Sequence, residues 1–302
     1  MTLSEAALDQ LTAMFGDQAL PDEPLAKHTS ARIGGPADAF LIAQSVDDLR
    51  AAAKIAWMDE LPLCVLGGGS NILISDAGFR GLVVRNQAEK TRFDGTRVIA
   101  ESGASSILLA RRCAKRGLAG MEWAIGVPGT IGGAAYGNAG AHGGEMAGIV
   151  TRVNLATPQG DVSLSGGEMA FGYRSSILKR ERRRSVILSV EMSFKPDNPQ
   201  AIQARMQEHT DYRKRTQPPG ATIGSMFKNP PGDYAGRLIE AAGLKGRRIG
   251  GAEISAIHAN FFLNLGGATA GDVKALADLA RGEVKAQSGV DLELEVELVG
   301  EW

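Results

Sequence analysis

GVPGTIGGAAYGNAGAHGGE, residues 126–145, is the stretch on which the fold turns. Glycine and alanine occupy twelve of its twenty positions, so it lacks the bulk that a packed core segment requires. Val127, Ile131 and Tyr136 give it apolar anchors, and Pro128, Thr130 and Asn138 give it rigid or polar points. A long glycine-rich loop with such anchors is functional more often than disordered. Clustered glycines mark backbone that turns with positive φ or approaches a ligand closely.

A second cluster lies upstream, in VLGGGSN (residues 65–71). It follows a strand-like run, but Gly67, Gly68 and Gly69 are consecutive, and the strand pattern resumes at Ile72 where a dinucleotide fingerprint would open a helix. No Lys-Ser or Lys-Thr follows, which also excludes a Walker loop. One reading is a nest of backbone N–H groups, with Ser70 and Asn71 adding donors, suited to a pyrophosphate. The other is a plain tight hairpin. Two separated glycine loops point to an extended ligand gripped along its length.

Around these loops the chain reads as α+β with several short strands. Ser45 to Asp48 is a capping box opening a helix to about Asp59, and Thr269 to Asp272 opens another to about Gln287. Residues 4–15, 105–116 and 201–214 also read as helices, as does DYAGRLIEAAG closed by Gly243. VTRVNLA-TPQG-DVSLS reads as a hairpin, RVIAES, SVILSVEMSF and NFFLNLG as strands, and VDLELEVELVG as a final strand with Glu293, Glu295 and Glu297 on its outer face. KPDNPQ (195–200) is the boundary candidate. The expected division is an entry segment over 1–24, a two-part ligand-binding domain over 25–197, and a smaller domain over 198–302.

Composition narrows the function. The net charge of −1 lacks the basic footprint of a nucleic-acid-binding protein. No run of 18 apolar residues suggests a membrane span, and the acidic start does not read as a signal peptide. Cys64 and Cys113 have neither metal-ligand nor disulfide-framework spacing, which fits a reducing cytoplasm and no metal. Nothing marks an obligate protein partner.

The pieces HTSARIGGPADAF (28–40), VLGGGSNIL, the 126–145 stretch, FGYRSS (171–176), ATIGSMFKNP (221–230), HANFFLN (258–264) and LELEVELVG occur in one order along most of the chain. Together they resemble the UDP-N-acetylenolpyruvoylglucosamine reductases, the MurB family, within the flavoproteins of vanillyl-alcohol-oxidase type. The resemblance implies a two-subdomain FAD-binding domain followed by a substrate-binding domain. It implies NADPH-dependent reduction of the enolpyruvyl ether of UDP-N-acetylglucosamine through non-covalent FAD, in peptidoglycan synthesis. No room exists between Pro230 and Gly243 for the extra loop found in one branch, so the chain resembles the loop-lacking type II branch.

By that resemblance Arg174 holds the pyruvyl carboxylate and the developing enolate, Ser225 is the proton donor, and Glu295 assists enol stabilisation or protonation. The residue types suit the chemistry, since an arginine fork grips a carboxylate bidentately and stays charged. Tyr173, Lys228, Asn229 and Asn264 become substrate contacts. Gly67, Gly68, Gly69, Ser70, Asn71, Gly126, Pro128, Gly129, Thr130, Gly132, Gly133 and Asn138 become cofactor contacts. His258 reads as a satisfied core histidine, His28 as a non-covalent neighbour, and the KRERRR run (179–184) as a solvated face. His142 stands where many family members carry tyrosine. Two other readings compete: an oxidase or dehydrogenase of the same fold acting on an alcohol or hydroxy acid, and a non-enzymatic nucleotide-sensing or scaffold protein.

Overall fold

The computed structural model describes residues 5–302, which divide into two compact units. The first gathers the chain up to Leu20, Ala39–Gly67 and Gly81–Arg213; the second gathers Pro21–Asp38, Gly68–Arg80 and Lys214–Trp302. The helices are α1 (Glu5–Phe15), α2 (Val46–Met58), α3 (Ser106–Lys115), α4 (Ile131–Gly137), α5 (Ile177–Glu181), α6 (Pro199–Thr216), α7 (Ala235–Ala241) and α8 (Ala270–Ser288). Residue 4, expected to open the first helix, lies outside the described residues. Among the described residues no helix is long and apolar enough to cross a membrane.

In the first unit, both halves of the capping box of α2 form: Asp48 N donates to Ser45 Oγ at 3.1 Å and Ser45 N donates to Asp48 Oδ2 at 3.0 Å. The helix buries Leu49, Ala52, Ala53, Ile55 and Ala56 in a core with Leu41, Leu82, Val84 and Leu188. An antiparallel sheet runs Gly160–Ser165, Val150–Thr157, Val186–Ser193, Arg97–Glu101, Thr91–Asp94 across its width. The 150–165 hairpin is therefore its edge, and α3 and α4 share the core beneath it with Leu109, Trp123, Ile131, Val153 and Val190.

The second unit holds an antiparallel sheet in the order Ala221–Ser225, Phe261–Asn264, Ala252–Ile254, Arg248–Ile249. Its core joins Phe227, Phe262, Leu276 and Val284. Helix α8 starts on the expected box of Thr269 and Asp272 and stops at Gly289, which takes φ +73°. Its N-terminus also receives the Asp76 carboxylate, which accepts from Ala270 N at 2.7 Å and Gly271 N at 2.9 Å. A carboxylate is favoured there by the unpaired first-turn amides and the helix dipole. That contact draws residues 68–80 into the unit of α8, so the compact units cut across the boundary drawn at 197/198.

The last segment corrects one expectation. VDLELEVELVG is not a single strand, because the extended chain changes partners along its length. Leu294 bridges Phe227, and only Glu297–Val299 forms a regular strand, parallel to Ile72–Ile74. The alternation still places Leu292 and Val296 in the core, whereas Glu295 and Glu297 are half-buried and Glu293 alone is exposed.

Candidate active site

Arg174 sits on a tight turn of the first unit. Gly172 and Ser175 exchange backbone hydrogen bonds at 3.0 and 3.1 Å, which leaves Tyr173 and Arg174 at the tip. Arg174 has φ +53°, a left-handed conformation that costs an L-residue roughly 1–2 kcal/mol. The turn is held from behind. Asn138, fully buried, donates from Nδ2 to Gly172 O at 2.9 Å and accepts from Ala147 N at 2.9 Å, and Ser176 Oγ donates to Tyr136 O at 2.6 Å. Arg174 Nη2 donates to Gly140 O at 2.7 Å, and its guanidinium carbon lies 5.1 Å from the Tyr173 ring centre. Backbone strain over-determined by neighbouring contacts is a mark of functional sites.

The glycine-rich stretch is only partly a loop. Thr130 caps α4 by accepting from Gly133 N at 3.4 Å, and Ile131, Ala134 and Ala135 give the short helix a buried stripe. Gly67 packs against this cap so closely that a Cβ there would stand 2.5 Å from Thr130 Oγ1. In the second unit Gly69, at φ +61°, would place a Cβ 2.3 Å from His28 O, and Ser30 N donates to Gly69 O at 2.9 Å. The 65–71 turn joins no hairpin: Leu63–Leu66 pairs parallel with Phe79–Asn86, and Ile72–Ile74 pairs with the chain end. That removes the tight-hairpin reading.

Two features fit a flavin dinucleotide. In the first unit, the backbone N–H groups of Gly129 and Thr130 donate to no acceptor among the described residues, as phosphate-binding amides would not. On α4, Gly133 and Gly137 lie one turn apart on one face. A Cβ at Gly137 would meet nothing within 4 Å, and one at Gly133 only the Thr130 hydroxyl at 3.7 Å. Glycine inside a helix costs about 0.5–1 kcal/mol relative to alanine, and no protein neighbour demands it there. The bare face admits a flat ring system at close range. Gly132 is different, because its absent Cβ would collide with Ser102 at 2.7 Å and its N–H is spent on Ser102 O.

In the second unit, the segment that follows Ser225 pairs through backbone with the segment that carries Glu295. Ser225 closes an irregular strand after Gly224, whose φ is +86°, where the register against Phe261–Asn264 shifts. The next residues pair with the C-terminal segment: Glu295 N donates to Met226 O at 2.9 Å and Lys228 N to Glu293 O at 2.8 Å. Asn71 Nδ2 donates to Glu295 O at 3.2 Å, which fixes the other side of that residue. Lys228 Nζ is ion-paired with Glu293, so the ammonium expected to sit near the substrate already has a counter-ion.

One residue that the sequence does not single out organises this region. Asn260, buried, accepts from Phe227 N at 2.9 Å and donates to Phe227 O at 2.8 Å, while its own carbonyl accepts from Met226 N at 2.8 Å. A polar residue opening an apolar strand was the available signal. Asn264 is spent similarly: its amide donates to Ala31 O at 2.9 Å and accepts from Gly266 and Ala268 N. Asn229 Oδ1 accepts from Ala235 N at 3.1 Å at the start of α7.

His258 is half-buried; burial lowers its pKa, its Nδ1 accepts from Asn260 N at 3.3 Å, and its ring meets Phe261 edge-on at 4.9 Å. His28 shares a hydrogen bond of 3.0 Å with Glu23. Of the 179–184 run, residues 180–184 are exposed and Arg183 pairs with Glu181, whereas Lys179 is half-buried and Arg180 Nη2 donates to Ala170 O at 2.7 Å, so the run is a solvated face only in part.

Known proteins resemble the chain throughout. A family model described as UDP-N-acetylenolpyruvoylglucosamine reductase, C-terminal domain, matches residues 216–299, and an FAD binding domain model matches 37–165. UDP-N-acetylenolpyruvoylglucosamine reductase of Rubrobacter xylanophilus is 43% identical over 93% of this chain and 95% of its own length. The Bacillus subtilis protein of that name is 39% identical over 98% and 99%. The crystal structure of the Thermus caldophilus reductase superposes with a TM-score of 0.80 at 35% identity, covering 93% of this chain and 98% of that one. Alkyldihydroxyacetonephosphate synthase shares the fold alone, at 19% identity and a TM-score of 0.50 over 65% of this chain and 41% of its own.

Proposed function

Because the chain belongs to the UDP-N-acetylenolpyruvoylglucosamine reductase family, we propose that it reduces the enolpyruvyl ether of UDP-N-acetylglucosamine to UDP-N-acetylmuramate, using NADPH and a non-covalent FAD. The product enters peptidoglycan synthesis. Residues 25–197 are assigned the cofactor and 198–302 the sugar nucleotide, an assignment supported by the two family models falling inside those ranges. The cytoplasm is the proposed compartment, consistent with Cys64 and Cys113 both being free thiols.

The chemistry that the flavin supplies when bound is hydride transfer, from NADPH onward to the methylene carbon of the substrate. The residues of the chain must then hold the pyruvyl carboxylate, steady the enolate and deliver a proton to the adjacent carbon. Arg174 suits the first two tasks, since its fork can leave the Gly140 carbonyl for a carboxylate that offers two charged acceptors. Ser225 is assigned the proton, passed from its hydroxyl to the carbon, and Glu295 the assistance of that step. Tyr173, Lys228 and Asn229 are assigned to substrate binding. Asn138 and Asn264, whose amides are committed inside the protein, are assigned to positioning, the first for the cofactor loop and the Arg174 turn.

The observation that carries this reading is the strained, buttressed placement of Arg174 on a turn whose shape needs no arginine. An anaerobic stopped-flow experiment tests it with Ser225→Ala. The variant is expected to be reduced by NADPH at the wild-type rate and then to stay reduced when mixed with the enolpyruvyl sugar. Rapid return of the oxidised flavin band in the variant would remove Ser225 from the proton transfer. A wild-type protein that is reduced by NADPH but not reoxidised by the sugar would favour the alcohol oxidase or dehydrogenase reading.

A further inference from the structure

Helix α6 turns His209, Tyr212 and Arg213 toward the glycine-rich stretch within the first unit. The His142 and His209 rings stack at 4.2 Å with 8° between their planes, and Tyr212 meets His142 edge-on at 5.5 Å. Arg213 lies along Gly126, where a Cβ would come within 3.0 Å of its Nε. His142 holds this position in a left-handed conformation, φ +51°.

The charges are one-sided. Arg205, two turns earlier on α6, is matched by Glu122 and Asp197, each at 2.6 Å. Arg213, half-buried, makes no hydrogen bond or ion pair among the described residues. Its pKa is lowered by burial. Burial, then the positive neighbours His209 and Arg213, lower that of His142. A half-buried guanidinium beside two imidazoles, with no ion-pair partner among the described residues, is the kind of group that an anion completes.

We propose that Arg213, flanked by His142 and His209, binds the diphosphate of a nucleotide. The guanidinium offers a planar set of donors that fits phosphate oxygens, and an imidazole N–H can add a further donor. Gly126, lacking a Cβ, lets the Nε side of Arg213 lie close against its backbone. The inference rests on the flavin reductase reading, in which three ligands carry a diphosphate: FAD, NADPH and the UDP-sugar.

The test compares Arg213→Gln and Arg213→Lys with wild type in the full-length protein. Kd is measured for FAD and for riboflavin, which lacks phosphate, by flavin fluorescence on apoprotein, and for UDP and NADP+, which carries the diphosphate of NADPH but cannot reduce the flavin, by flavin absorbance changes in the loaded, oxidised protein. Arg213→Gln is expected to weaken one diphosphate ligand roughly 10- to 100-fold, with Arg213→Lys recovering a large part. The ligand affected identifies the source. Unchanged affinity for all three, or equal weakening of FAD and riboflavin, overturns the proposal. Wild-type protein that binds no FAD would instead sink the flavin reading itself. Should Arg213→Gln fail to fold, Arg213→Lys and competition of inorganic pyrophosphate with each ligand on wild type decide the matter, and absence of competition also overturns it.

Discussion

Two buried asparagines hold the two reactive segments, and they do so differently. Asn260 pairs with both backbone groups of Phe227, as a neighbouring strand would, and so continues a sheet past the irregular step at Ser225. Asn138 bridges two separate loops, reaching Gly172 O on one side and Ala147 N on the other, and thereby supports a turn bent into an unfavourable conformation. One asparagine completes regular structure; the other maintains irregular structure. Stability should therefore depend more on the first, and the geometry of the reactive side chain more on the second.

Asn260→Ala breaks the comparison most directly. It leaves the N–H and C=O of Phe227, a fully buried residue, without partners, at about 1–3 kcal/mol each. A loss of roughly 2–6 kcal/mol is expected in urea denaturation. Asn138→Ala should cost less, about 1–3 kcal/mol, because Gly172 and Ala147 are only partly buried and can turn toward water. Its turnover of the enolpyruvyl sugar should nevertheless fall further than that of Asn260→Ala at a temperature where both are folded. Equal effects in both measurements would show that the two asparagines are interchangeable supports, and the reverse order in either would overturn the assignment.

Arg174 sharpens the same point at about 1 kcal/mol. Both Arg174→Ala and Arg174→Gly should abolish sugar reduction, since neither can hold a carboxylate. At an ordinary position alanine would give the more stable protein. At φ +53° the order should invert, with the glycine variant more stable by about 1 kcal/mol, because alanine retains the left-handed penalty. Equal stabilities would mean that the turn relaxes once arginine is gone. A smaller effect is expected at Gly137→Ala, which should raise the stability of the flavin-free protein by about 0.5–1 kcal/mol while weakening flavin binding. Stabilisation without any change in flavin affinity would take the cofactor away from that face of α4.

Local signals carried much of the fold into the sequence. The boxes at Ser45 and Thr269 each satisfy amides within four residues, so they are readable without tertiary context. The 150–165 hairpin is equally local. What the sequence concealed is long-range or compositional. Helix α4 hides in a stretch whose glycines mask a three-residue apolar stripe. The C-terminal segment alternates like one strand because Leu292 and Val296 face the core, yet it pairs first with residues 226–228 and then with Ile72–Ile74. Asp76 reaches α8 across 194 residues. The site followed the same division: residue types for carboxylate binding and proton donation were legible, whereas the asparagine supports and the Lys228–Glu293 pair required the folded chain.

His258 offers the smallest test, because it sits beside the stronger support. Its Nδ1 accepts from the N–H of Asn260, and burial holds its pKa below the usual histidine value of about 6.5. A folded-state pKa below the unfolded one means that, as pH falls through about 6.5, the unfolded chain takes up a proton that the folded chain refuses. Stability from this residue is thus fully present above that pH and declines between it and the lower folded value. Protonation at Nδ1 would also remove the acceptor of the Asn260 amide, so the acid loss should be accompanied by loosening of the Ser225 segment. Urea denaturation of wild type and His258→Gln at pH 7.5 and 5.5 should show a smaller acid loss in the variant. Amide exchange at Asn260 and Phe227 should rise at pH 5.5 in wild type relative to the first unit, after correction for intrinsic rates. If the acid loss is identical in the two proteins, the histidine carries no linkage, and the support at Asn260 is independent of pH.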